Sequence, residues 1–247
     1  MSTPPEYPPP IRLPGEAPAP PEPYAIHHRA AEVRGVVDDD TDRFGAEAAA
    51  ARLAERLARV EPRPARVADD GRLLLTPPLA PGHDRIEGPA SGRATVVVFG
   101  AHGTPSSRSL GALLDAIRRR HPATVGVAWR HYPDPAAHPP AVALALAAEA
   151  AAQAGRFWTL TRELLRLRHY EPGDLHDAIV RSSLDPDHIL ELMRRGAGAD
   201  RIADDVASAL SSGVTFAPAL FIAGERYRGE LRPEPVLGAI DSALPGG

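Results

Sequence analysis

The 247-residue chain contains no cysteine, no lysine and no asparagine. Without cysteine there is no disulfide framework, no thiolate metal site and no thiol–disulfide chemistry, which needs a thiolate to attack sulfur. A hydroxyl is far less acidic and forms no S–S bond. All 28 basic residues are therefore arginine. Lysine and asparagine have AT-rich codons, so their joint absence marks a high-GC coding sequence and makes an arginine-rich helix face weak evidence for a phosphate site. No run of about 18 apolar residues occurs, so no membrane-spanning helix and no direct membrane insertion is expected. The Ala141–Ala152 run is too short to span and is interrupted by Glu149. Met1–Glu6 lacks the basic and apolar regions of a signal peptide, which gives a cytoplasmic expectation. With 32 acidic residues against 28 basic, no general attraction to nucleic acid is expected.

Proline is plentiful and punctuates the chain. Residues 1–24 hold ten prolines and predict an extended or disordered arm. Residues 25–81 read as an N-terminal extension. A helix is expected over Ala46–Val60, from Leu53, Leu57 and Val60 on one face, and it is ended by Pro62 and Pro64. The acidic run Asp38–Asp40 with Asp42 reads as a solvated turn capping that helix; it lacks the alternation and distal Glu of a calcium loop. Val67–Leu75 reads as a hairpin turning at Asp70-Gly71. The boundary of the main domain is expected near Pro62–Pro81, with residues 82–247 beyond it.

Within 82–247 the element order is readable. Ala94–Phe99 is an apolar, β-branched strand buried on both faces. Thr104-Pro105 opens a helix, with Thr104 as N-cap and Leu110, Leu113, Leu114 and Ile117 on its apolar face. Thr124–His131 is a second strand, parallel to the first. Helices follow over Ala141–Ala154, Phe157–Arg168, Asp174–Ser182, Pro186–Arg194 (Asp185 as N-cap) and Asp200–Ser211. A strand over Ala219–Ala223, a turn at Gly224-Glu225, a return over Arg226–Arg228 and a helix over Pro233–Leu244 close the chain. The class is α/β, ordered βαβ, helical insertion (about 138–212), ββα.

That order, with Phe99-Gly100-Ala101-His102-Gly103-Thr104-Pro105-Ser106-Ser107, resembles the DsbA-like thioredoxin family, in which a helical domain interrupts a thioredoxin fold. Asp84–Ala90 resembles the family's lead-in. Arg130-His131-Tyr132-Pro133 with Ala147–Ala150 resembles the passage into the insertion, Phe157-Trp158 the aromatic pair that starts the next helix, and Ser212–Gly224 the cis-proline loop and strand. The likeness covers His83 to the C-terminus. It is similar to the thioredoxin domains of GC-rich bacteria, some of them attached to Na⁺/H⁺ antiporters. Where the family carries Cys-Pro-x-Cys, this chain reads Thr104 and Ser107; Ala217 stands before the proline where Thr or Val is common, and Gly103 where an aromatic or acidic residue is common.

The resemblance implies a groove between Thr104–Ser107 and the Ala217-Pro218 loop that takes an extended peptide or partner protein as an added strand. The expected site is His102, Thr104, Ser107, Ala217 and Pro218, with no catalytic residue assigned, no cofactor and no metal. His102 is read as an exposed loop histidine, with base or peptide contact as its functional reading, and Ser107 as a first-turn residue, with weak nucleophile or hydrogen-bond donor as its functional reading. His131 and His138 lack a third ligand of convincing spacing. Arg118–Arg120 suit a helix C-terminus, and no phosphate loop or nucleophile elbow occurs. The leading reading is a redox-inactive binding or regulatory module; the alternative is a thioredoxin-fold transferase or isomerase that holds a small thiol with Thr104 or Ser107.

Overall fold

The computed structural model describes residues 39–244, apart from 62, 91–93, 168 and 169. The proline-rich arm and the start of the extension lie outside the described residues. The described residues belong to one compact unit. Five strands form one sheet in the order β1-β3-β2-β4-β5: β1 Arg85–Glu87, β2 Ala94–Gly100, β3 Val125–His131, β4 Ala219–Ile222 and β5 Glu225–Arg226. β2 and β3 are parallel, joined by helix α2 (Ser107–Arg120), while β1, β4 and β5 pair antiparallel to their neighbours. Helices α3 (Pro140–Gln153), α4 (Phe157–Arg166), α5 (Pro172–Arg181), α6 (Pro186–Arg194) and α7 (Ala199–Ser211) stand between β3 and β4, and α8 (Pro233–Ala243) closes the described chain. This is the βαβ, insertion, ββα order expected.

β2 shows why a continuous apolar run belongs at the centre. Val96 and Val98 enter one core, with Leu113, Ile117 and Trp129; Val97 and Phe99 enter a second on the opposite face, with Phe221 and Val214. Each side chain buried this way contributes roughly 1.5–3 kcal/mol, and neither face of β2 is left for water.

The N-terminal helix differs from expectation. α1 runs Asp39–Leu57, so Asp39, Asp40 and Asp42 lie within its first turn instead of forming a turn before it, while Asp38 lies outside the described residues. Ala46, Ala49, Leu53 and Leu57 join the larger core, so this helix is part of the domain's interior. The Val67–Leu75 hairpin forms a single bridge, Val67 to Leu73, and its return arm then pairs Leu74 with Glu225 beside β5. Leu75 N–H donates to the Gly224 carbonyl at 2.8 Å and Arg226 N–H to Leu73 at 2.9 Å.

The β4–β5 turn sits one residue earlier than expected. Ala223 and Gly224 both have positive φ, 50° and 84°, the pair of left-handed conformations that a two-residue turn between twisted strands requires. The return strand is consequently Glu225–Arg226. Among the described residues no helix is long and apolar enough to cross a membrane.

Candidate functional site

β2 ends at Gly100, whose carbonyl accepts from Tyr132 N–H at 2.8 Å. The chain then loops through Ala101–Ser106 into α2. The loop can take this path because two positions lack a side chain. A Cβ at Gly100 would lie 2.3 Å from Cη2 of Trp129, and one at Gly103 (φ 70°) would lie 2.5 Å from Cδ1 of Leu144. The indole of Trp129 therefore fills the space beneath the loop.

Thr104 is not an N-cap. Helix α2 begins at Ser107, and its preceding residue Ser106 makes no side-chain cap bond. The Thr104 hydroxyl instead donates to the Ala101 carbonyl at 3.3 Å and lies 3.1 Å from Oγ of Ser106. Ser107 is buried, and its hydroxyl donates to the Thr104 carbonyl at 2.6 Å. The hydroxyl expected in the groove is turned into the helix start.

His102 requires the larger correction. It is fully buried, stacked on Trp129 with ring centroids 4.7 Å apart and planes 17° apart. It lines no groove. Neither ring nitrogen has a hydrogen-bond partner. Burial, and then the facing His131, push its imidazole well below the ordinary value, because the charged form would lose its hydration with no compensating bond.

Beneath this pair lies a charged network that the sequence reading did not single out. Trp129 Nε1–H donates to Nδ1 of His131 at 3.3 Å, which leaves the His131 proton on Nε2, 3.1 Å from Oε1 of Glu149. Glu149 is buried on α3 and also accepts from Arg85 Nη2 at 2.5 Å. Burial alone would raise its carboxyl, yet the bonds from His131 and Arg85 outweigh it and hold Glu149 at about 2. Asp205 on α7 accepts the backbone N–H of His131 at 2.9 Å. Its burial prevails over the attraction of His131 and Arg201 and pushes it up to about 6. Asp84 and Arg130 form a second buried pair at 2.8 Å; there Arg130 outweighs the burial that would raise Asp84, whose carboxyl ends below the ordinary value. The signal for Glu149 was present: it is the single charge in Ala141–Ala152, and a charge in an apolar helix must be paired when buried.

Above the loop is a groove of about 510 Å³ lined by Thr104, Ser106, Tyr132, His138, Phe216 and Ala217, with Leu57 and Val60 from the end of α1. Thr104 and Ala217 thus meet. Pro218 lies in a neighbouring depression of about 420 Å³ with Arg226 and Tyr227, and Phe216 borders both. The Ala217–Pro218 bond is cis, as is Thr76–Pro77. Phe216 is 66% exposed. Of the five expected residues, two share the groove, one lies beside it and two are buried below. Phe216 and Tyr132 were missed as site residues, although both sit inside the stretches that carry the resemblance.

No family model matches the chain. Among curated sequences it is 35% identical over 202 residues to the Na⁺/H⁺ antiporter NhaA 3 of Salinispora tropica and 34% identical over 185 residues to NhaA 1 of Salinispora arenicola. These matches cover 78% and 72% of this chain but 30% and 27% of the antiporters, so the chain spans less than a third of their length. Among solved structures it is similar to BdbD from Bacillus subtilis (TM-score 0.59, 16% identity, 68% of this chain and 96% of that one). A thioredoxin-like oxidoreductase from Silicibacter pomeroyi is similar too (TM-score 0.59, 20% identity, 73% and 100%). The fold is therefore the DsbA-like thioredoxin fold with a helical insertion, carried here by a chain without cysteine.

Proposed function

We propose that this chain is a redox-inactive binding module that takes an extended segment of a partner protein in the groove between Thr104 and Ala217. The observation that carries the reading is Phe216, two-thirds exposed on the border of that groove. Aromatic side chains are enriched at protein interfaces, and this one borders a concave site. Two facts support it. Both positions that hold sulfur in the redox-active family are hydroxyls, and both hydroxyls are engaged by nearby groups. The antiporters that share this stretch make an extended segment of a membrane transporter the first partner class to test. The same reading sets the protein in the cytoplasm, and recovery of the full chain from the extracytoplasmic fraction would remove that part.

The test is an amide NMR titration of the full chain, first with an unfolded peptide and then with a small thiol such as glutathione. Saturable shifts at Thr104, Phe216 and Ala217 with peptide alone support the module. Shifts at Thr104 with the thiol alone, together with a thiol-transfer activity lost in Thr104→Ala, would replace it with the transferase or isomerase alternative. Silence at these amides in both titrations would remove the groove as a site.

A further inference from the structure

A second cavity, of about 470 Å³, lies between α2 and α4 and is bordered by Glu87 of β1. Four guanidiniums line it, Arg108, Arg118, Arg162 and Arg166, against two carboxylates, Glu87 and Asp115. The carboxylates are shared out. Glu87 meets Arg162 and lies 3.3 Å from Arg118, which is also 3.3 Å from Asp115. Arg166 is held by Glu163 at 2.6 Å. Arg108 has no ion-pair partner among the described residues. The surplus positive charge of the cavity wall is therefore the exposed, uncommitted guanidinium of Arg108.

Two donors in this cluster also lack an acceptor: the indole Nε1–H of Trp158 and the Nε–H of Arg162. They are four residues apart on α4 and so share one face. A buried N–H without an acceptor is costly, and such orphans are uncommon in folded proteins. An anionic oxygen would satisfy such donors and offset the surplus charge together. The rest of the lining is apolar, from Leu114, Leu165 and Gly111. At Gly111 a Cβ would already touch Cβ of Leu165 at 3.8 Å, so any longer side chain there would occupy the floor.

We infer that this cavity binds a small organic oxyanion. Its carboxylate or phosphate head lies among Arg108, Arg162 and the Trp158 N–H, and its apolar body lies on Leu114 and Leu165. The high-GC composition explains why arginine is the basic residue here. It does not explain why two residues lining one cavity, Trp158 and Arg162, each keep a buried N–H without an acceptor. This site is separate from the groove and does not depend on the peptide reading.

The experiment follows the indole N–H signals of the full chain by NMR as phenyl phosphate, benzoate and inorganic phosphate are added in turn. Phenyl phosphate and benzoate distinguish the two head groups. We expect at least one of them to move the Trp158 signal saturably while the signal of fully buried Trp129 stays in place. Inorganic phosphate, having no apolar body, should bind about tenfold more weakly. By calorimetry, Arg108→Gln and Trp158→Phe should each weaken the aryl anion about fivefold or more, while Arg119→Gln, on the same helix but outside the cavity, should not. Arg108 is exposed and unpaired, so its loss leaves the fold intact. No saturable shift with either aryl anion, or equal weakening by Arg119→Gln, overturns the inference.

Discussion

His102 lies flat against Trp129, 4.7 Å from ring centre to ring centre, with both of its ring nitrogens buried and unpartnered. A polar ring has been placed where an apolar one would fit, within the loop that carries Thr104 and two residues before it. The stacking holds the loop down, and the unmet nitrogens hold free energy that a phenyl ring would not forfeit.

His102→Phe should therefore raise stability at neutral pH by about 1 kcal/mol, since replacing an unsatisfied buried group by an apolar one of similar shape removes its desolvation cost. The pH dependence has a definite sign. The native imidazole titrates well below its ordinary value, so below about pH 6.5 the unfolded chain binds a proton that the native state refuses, and stability falls with falling pH. Urea denaturation at about pH 7.5 and about pH 5.5 should show that fall in the parent and a shallower one in the variant. A loss of stability in His102→Phe at both values would mean that the nitrogens are satisfied after all.

Asp205 acts in the opposite direction. Its carboxyl is raised from 3.8 to about 6, so between those values the native state keeps a proton that the unfolded chain has released. Its contribution is fully present below 3.8 and is lost as pH rises through about 6. Asp205→Asn keeps an acceptor for His131 N–H and has no such titration. Relative to the parent, the variant should gain stability between about pH 4 and about pH 7, measured by the same denaturation series. A constant difference across that range would place Asp205 outside the titration.

Gly100→Ala tests how the loop is packed. The new methyl would fall 2.3 Å from the Trp129 ring, and Trp129 cannot retreat because it is fully buried. We expect a loss on the order of 3 kcal/mol, the upper end of overpacking costs, with a lower Tm and a changed near-ultraviolet signal from Trp129. A variant as stable as the parent would show that the indole has room to move.

Phe216→Ala separates recognition from folding. The side chain is mostly in water, so thermal stability should stay within about 0.5 kcal/mol of the parent. Affinity for a groove-binding peptide should fall about tenfold or more, as for an aromatic anchor. Equal affinity in both proteins would count against Phe216 as the contact.

The sheet and most helices were legible because local signals agreed with tertiary demands. The unbroken apolar run of β2 can satisfy only a strand covered on both sides, and Pro186 after Asp185 fixes the start of α6, where Asp185 accepts from Asp187 N–H at 3.1 Å. Legibility failed where distant residues decide. Nothing local to His102 tells that Gly100 makes way for an indole from β3, or that the indole then covers the histidine. The partners of Glu149 are Arg85 of β1, His131 of β3 and Arg201 of α7, none of them on its own helix. Thr104 was misread because a threonine before proline fits a cap in sequence, whereas here the helix starts three residues later.

The pairing of Leu73–Leu75 with Gly224–Arg226 bears on how such molecules meet one another. A β-sheet ending in a two-residue strand would present unpaired backbone groups as a template for any extended chain. Here the chain's own N-terminal extension occupies that rim. Sheet-to-sheet polymerisation through β5 is thereby blocked from within, and self-association along that side would first require this segment to peel away.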